Sequence, residues 1–104
     1  MHELHLQPAA EADLVAIWQT SFEHWGEAQA DHYLDALNEG LALLANNPSL
    51  GADCRWIRAD YRRLVLQHHV AYYRIAGTRI EISRVLHERM EPARYLAMGE
   101  SDRQ

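Results

Sequence analysis

Residues 30–48 read ADHYLDALNEGLALLANNP. Ala30, Leu34, Leu37, Leu41 and Leu44 recur at steps of four and three, which lines one face of a helix. Tyr33 and Ala45 stand beside that stripe. Asn46-Asn47-Pro48 ends it, because the residue before a proline leaves the helical region. Upstream, Leu14, Ile17, Trp18, Phe22 and Trp25 give a first helix its own stripe. Pro8 suits the opening of that helix and Gly26 its end. Two helices joined at one glycine make an antiparallel hairpin. Each carries an apolar stripe, so the pair needs a third layer to cover it.

The second half of the chain supplies that layer. Residues 61–66, 70–75 and 79–87 are rich in Val, Ile, Leu and Tyr and read as strands. Ala76-Gly77-Thr78 joins the last two as a hairpin turn, and the short link at Gln67-His68 makes the first two antiparallel as well. Leu4 and Leu6 alternate with Glu3 and His5 as a short opening strand. Residues 49–60 read as a loop or irregular edge. The fold expected is α+β, in the order β-α-α-β-β-β, with a two-helix hairpin packed on a mostly antiparallel sheet. One domain spans residues 1–98, and a polar tail, 99–104, is expected to fray.

The chain has 104 residues, enough for one domain with a modest core. No apolar run approaches the ~20 residues that span a bilayer. Acidic Glu3, with no basic residue near it, argues against a secretory leader. Cys54 is the single cysteine, which fits a reducing cytoplasm. Charge is split unevenly. Residues 1–54 hold nine carboxylates and no Lys or Arg, while residues 55–104 hold ten Arg against six carboxylates. Such asymmetry suggests two surfaces with different partners.

Glu27, Asp31, Asp35 and Glu39 stack on one face of the second helix at a spacing of four. They form either a solvated acidic face or a docking face for a basic partner. Arg84 follows Ile80 and Ile82 at the alternation of a strand, which implies a half-buried guanidinium paired with Glu11, Asp13 or Glu81. Arg89 and Arg94 lie beyond that strand and are expected to be exposed. His2-x-x-His5 and His68-His69 do not match the spacing of a closed zinc site, and no cofactor is implied. Cys54 reads as a small buried residue, and Trp18, Trp25 and Trp56 as core or hairpin packing.

One ordered set of motifs goes further. Arg84-Val85-Leu86-His87-Glu88-Arg89-Met90-Glu91 resembles the last strand of ParE-type toxins, in the ParE/RelE superfamily of bacterial toxin–antitoxin pairs. Pro8 to Trp18, Trp25-Gly26, Leu44 to Pro48 with Gly51, Tyr61-Arg62, His69 and Tyr72-Tyr73-Arg74 follow the family pattern in order. Glu91 stands where the family usually has Asp, Gln7 where it has a Ser or Thr cap, and Asp60 and Gln67 where it commonly has Gly. The resemblance implies a cytoplasmic protein that poisons DNA gyrase and is not itself an enzyme. It implies a ParD-like antitoxin partner in a hetero-oligomer. Antitoxin contacts are expected at Trp18, Phe22 and Tyr33, and at a sheet edge near Tyr73 and Arg74. Target contacts are expected at Arg62, Arg84, His87, Arg89, Met90 and Arg94. No catalytic residue is assigned. The alternatives are a ribosome-dependent RelE-like ribonuclease, for which Arg62, Arg84, His87 and Tyr95 supply residue types, and a non-toxic binding relative.

Overall fold

Pro8 and Gly26 bound the first helix. The structure, a computed structural model, describes residues 2–101. Strand β1 spans Glu3–Leu6, helix α1 Pro8–Trp25 and helix α2 Glu27–Asn46. A 3₁₀ turn at Pro48–Leu50 and a two-residue strand β2, Ala52–Asp53, follow. Then come β3 (Tyr61–Leu66), β4 (His69–Ala76), β5 (Arg79–His87) and a last helix α3 (Pro92–Ser101). The sheet order is β1-β5-β4-β3-β2, antiparallel except for β1 against β5. The α+β hairpin-on-sheet architecture expected from the sequence is therefore present. β2 and α3 are additions to it, and the expected tail overlaps α3. Residues 102–104 lie outside the described residues.

The hairpin covers one sheet face. Leu14 and Ile17 from α1 and Leu37, Leu41 and Leu44 from α2 meet Leu66, Ala71, Tyr73, Ile80, Ile82 and Val85 in the main core. Burying such side chains contributes about 1.5–3 kcal/mol each. A second, smaller core lies on the opposite face. It joins Cys54, Val70, Tyr72, Leu86 and Leu96, with Ile57, Tyr61, Met90 and Tyr95 at its margin. Val70 to Tyr73 are thus buried on both sides. Burial raises the pKa of the Cys54 thiol, so it stays protonated and inert.

Three local features set the sheet's geometry. Gln67 and Asp60 have φ of 58° and 69°. These are the two positions where the resemblance calls for glycine, which enters this left-handed region without strain. Gly51 is packed so closely that a Cβ there would lie 2.5 Å from the Arg63 carbonyl and 2.7 Å from the Tyr73 hydroxyl. A bulge lies between β4 and β5. Tyr72 pairs with Arg84 and Tyr73 with Ile82, which leaves Ser83 as the extra residue. The bulge corrects the parity argument for Arg84. Val85, not Arg84, continues the hairpin-facing row of Ile80 and Ile82.

β1 pairs with β5 only as far as Ile82, so the edge of β5 beyond it lacks a strand. Asp13 of α1 takes its place. Its carboxylate accepts the Val85 N–H at 2.9 Å and both Nε and Nη2 of Arg84 at 2.8 Å. Of the three carboxylates weighed for Arg84, Asp13 is the partner. The bond to Asp13 raises the Arg84 pKa above its ordinary value.

Candidate functional site

Helix α1 has two apolar stripes. Ala10, Leu14, Ile17 and Ser21 face the core. Val15, Trp18, Phe22 and Trp25, at steps of three, four and three, form a second stripe on its outer side. Val15, Phe22 and Trp25 are 57%, 46% and 70% exposed. Trp18 and Phe22 stack at 5.2 Å between ring centroids, and the Trp18 indole donates to Asp31 at 2.8 Å. This corrects the single core stripe expected for α1, since the residue one turn beyond Ile17 in the core is Ser21. Trp25 and Trp56 are exposed, not core. Runs of large apolar residues left bare on a helix mark interaction surfaces. Glu27, Asp31, Asp35 and Glu39 lie exposed along α2 beside the stripe.

A groove of about 800 Å³ opens where the end of α1 meets the sheet. Ile17, Ser21, His24, Trp25, Tyr33 and His87 are among its lining residues. Tyr33 sets its floor. Its hydroxyl accepts the His68 N–H at 3.2 Å and lies 2.7 Å from Nδ1 of His69. His87 stands edge-on to His69, with ring centroids 5.2 Å apart. Burial, with His87 and His68 nearby, pushes the His69 imidazole down to about 4. Burial also raises the Tyr33 phenol. The Tyr33–His69 hydrogen bond and the His68 N–H tie α2 to the β3–β4 turn. His87 Nδ1 accepts the Arg89 N–H at 3.1 Å, which fixes the ring at the end of β5.

The arginines expected as target contacts do not gather at one site. Arg84 is held by Asp13. Arg62 donates to the Gly51 and Ser49 carbonyls at 3.0 and 3.3 Å. Arg74 and Arg79 share Glu81. Arg89 and Arg94 are exposed at the strand's end and the start of α3, and Met90 is half-buried against the second core. Tyr73 corrects an expectation. It is fully buried in an interior strand, and its hydroxyl bridges the Pro48 carbonyl and the Gly51 N–H. It therefore does not stand at a sheet edge, and Arg74 beside it is exposed but not at an edge either. Trp18, Phe22 and Tyr33 do lie on the hairpin, with Tyr33 in the groove. Trp25 and His69 read in the sequence as stripe and motif residues, not as contact residues. The 3-4-3 spacing from Val15 to Trp25 was the signal for the first, and the second had none beyond its place in the resemblance.

Among the described residues no group of three or more His, Cys, Asp or Glu is placed to hold a metal ion. No helix there is long and apolar enough to cross a membrane. A family model described as the ParE toxin of a type II toxin–antitoxin system, parDE, matches residues 4–92. The chain belongs to the ParE toxin family. The match takes in the hairpin, the groove and the β5 end through Met90, while Arg94 and Tyr95 lie past it. Toxin ParE1 of Mycobacterium tuberculosis is 41% identical over 92 residues, covering 88% of this chain and 94% of that protein. Toxin ParE1 of Caulobacter vibrioides is 38% identical over 96 residues, covering 92% and 99%. A solved structure, the chromosomal ParDE TA system from P. aeruginosa, superposes with a TM-score of 0.76 at 26% identity, over 84% of this chain and 96% of that one.

Proposed function

We propose that this ParE-family toxin acts by binding and stalling DNA gyrase, so that replication stops, and that a ParD-like antitoxin neutralises it in a hetero-oligomer. It works in the cytoplasm, where gyrase meets the chromosome, and it is not an enzyme. The observation that carries a binding mechanism is the second stripe of α1. Val15, Phe22 and Trp25 are large apolar groups left to solvent on a helix whose other stripe already fills the core. Trp25 is the one residue of that stripe that also lines the Tyr33 groove. The gyrase assignment follows from the family resemblance of the β5 end, where Arg89 and Arg94 extend into solvent.

The second reading, cleavage of messenger RNA, needs cations free to take a scissile phosphate. Arg84 is already bidentate on Asp13, and Arg62 is committed to two backbone carbonyls. Both features favour the binding reading. The order in which synthesis fails separates the two. After induction in growing cells, thymidine uptake is expected to fall before leucine uptake. Leucine uptake falling first would favour the ribonuclease.

A further inference from the structure

The sheet face away from the hairpin carries a pattern that antitoxin binding to the hairpin leaves unexplained. Leu64 and Leu66 of β3 turn to the main core, so Tyr61, Arg63 and Val65 turn the other way. On that side Val65 is 60% exposed and Trp56 is 67% exposed. The Arg63 guanidinium lies 5.6 Å from the centre of the Trp56 ring. Arg58 lies 6.0 Å from the Tyr61 ring, and Arg84 lies 5.5 Å from the Tyr95 ring. Tyr61 and Tyr95 border the second core, so this face carries three arginine–aromatic pairs, in one of which the Arg84 guanidinium is already committed to Asp13.

We propose that this face is a second protein-docking surface, centred on Trp56 and Arg63, for a target protein that presents carboxylates. The inference rests on the reading that the chain acts by binding a target. Trp, Tyr and Arg are the residues that dominate protein–protein hot spots, and Val65 adds an apolar contact beside them. A guanidinium laid on a ring retains N–H groups that can grip a carboxylate, and Arg63 spends part of its set on the Tyr72 hydroxyl. Charge agrees, since all ten Arg lie in residues 55–104. A nucleic acid fits less well. The whole chain carries −5, which opposes a polyanion, and Tyr61 and Tyr95 are packed at the second core, which leaves Trp56 as the open ring. The antitoxin stripe lies on α1, across the sheet, so both partners have their own surface.

The test uses the full chain with Trp56→Ala, Arg63→Gln and the double substitution. Trp56 is exposed, so the fold should survive its loss, as circular dichroism would verify. Growth arrest, inhibition of purified gyrase, antitoxin affinity by calorimetry and binding to a fluorescein-labelled DNA duplex are read on each. The double variant is expected to need about tenfold more protein for arrest and inhibition, with antitoxin affinity unchanged. Arrest at full strength in the folded double variant overturns the proposal. So does a matching loss of antitoxin affinity, which would give the face to the antitoxin, or a matching loss of DNA binding, which would make it a nucleic-acid surface. A wild-type chain that arrests growth without inhibiting gyrase retires gyrase as the target, and the arrest assay then decides the docking face alone. A wild-type chain that does neither overturns both readings.

Discussion

Replacing Asp13 with Ala is expected to destabilise the chain by about 3 kcal/mol. One carboxylate here serves three donors: Nε and Nη2 of Arg84 and the Val85 N–H. The side chains of Arg84 and Asp13 are only 24% and 14% exposed. Removing the carboxylate leaves a largely buried cation without its ion pair and a strand N–H without an acceptor. The location adds to the cost. Asp13 stands where β1 stops, and it ties α1 to β5 across 71 residues of sequence. In a domain of this size the melting midpoint should fall by roughly 10–20 °C. Urea unfolding should show the same loss with little change in slope. The double substitution Asp13→Leu with Arg84→Met is the control. It removes both charges together and should recover the ion-pair share of the loss but not the part due to the Val85 N–H, which stays without its acceptor. A single variant that loses under about 1 kcal/mol would show that water replaces the carboxylate.

Trp18→Ala with Phe22→Ala should lower antitoxin affinity by about a hundredfold and leave stability almost untouched. The two rings stack on each other on the outer side of α1, not in the core. Stability should therefore change by less than about 1 kcal/mol. Trp18 also donates to Asp31, so its loss unpins one carboxylate of the acidic row on α2. Calorimetry against the purified antitoxin checks the affinity, and thermal melting checks the fold. Equal affinity in a folded double variant would place the antitoxin elsewhere on the chain. The same variants should arrest growth as strongly as wild type when no antitoxin is present, if the stripe serves neutralisation as proposed.

Much of the fold was legible because punctuation and period agreed. Pro8, Gly26 and Asn47-Pro48 bound the helices, and Gly77 sits at φ 63° in the two-residue turn between β4 and β5. What was missed depended on contacts between distant residues. A strand of two residues, Ala52–Asp53, leaves no period to read. The Ser83 bulge shifts every later side chain of β5 relative to a simple alternation, which is why Arg84 does not share the face of Ile82. The edge placement of Tyr73 came with the family resemblance, yet β4 is an interior strand covered on both faces from Val70 to Tyr73. The second core explains this. Leu96 in α3 and Cys54 before β3 close over Tyr72 and Leu86, and none of these four is near another in the sequence. On α1, five large apolar residues looked like one stripe, and only packing divides them into a buried pair and an exposed set. The candidate site follows the same rule. Exposed Arg89 and Arg94 could be read from their place beyond a strand, whereas the commitment of Arg62 to the Ser49 and Gly51 carbonyls could not.

The central claim is that the chain disables gyrase by binding it. The most direct measurement is supercoiling of relaxed plasmid by purified gyrase at rising concentrations of this protein, with protein-linked cleaved DNA scored in the same samples. Supercoiling is expected to fall as cleaved DNA accumulates, and addition of the antitoxin should restore it. Full supercoiling with no cleaved DNA, from a folded sample that still arrests growth, would contradict the account.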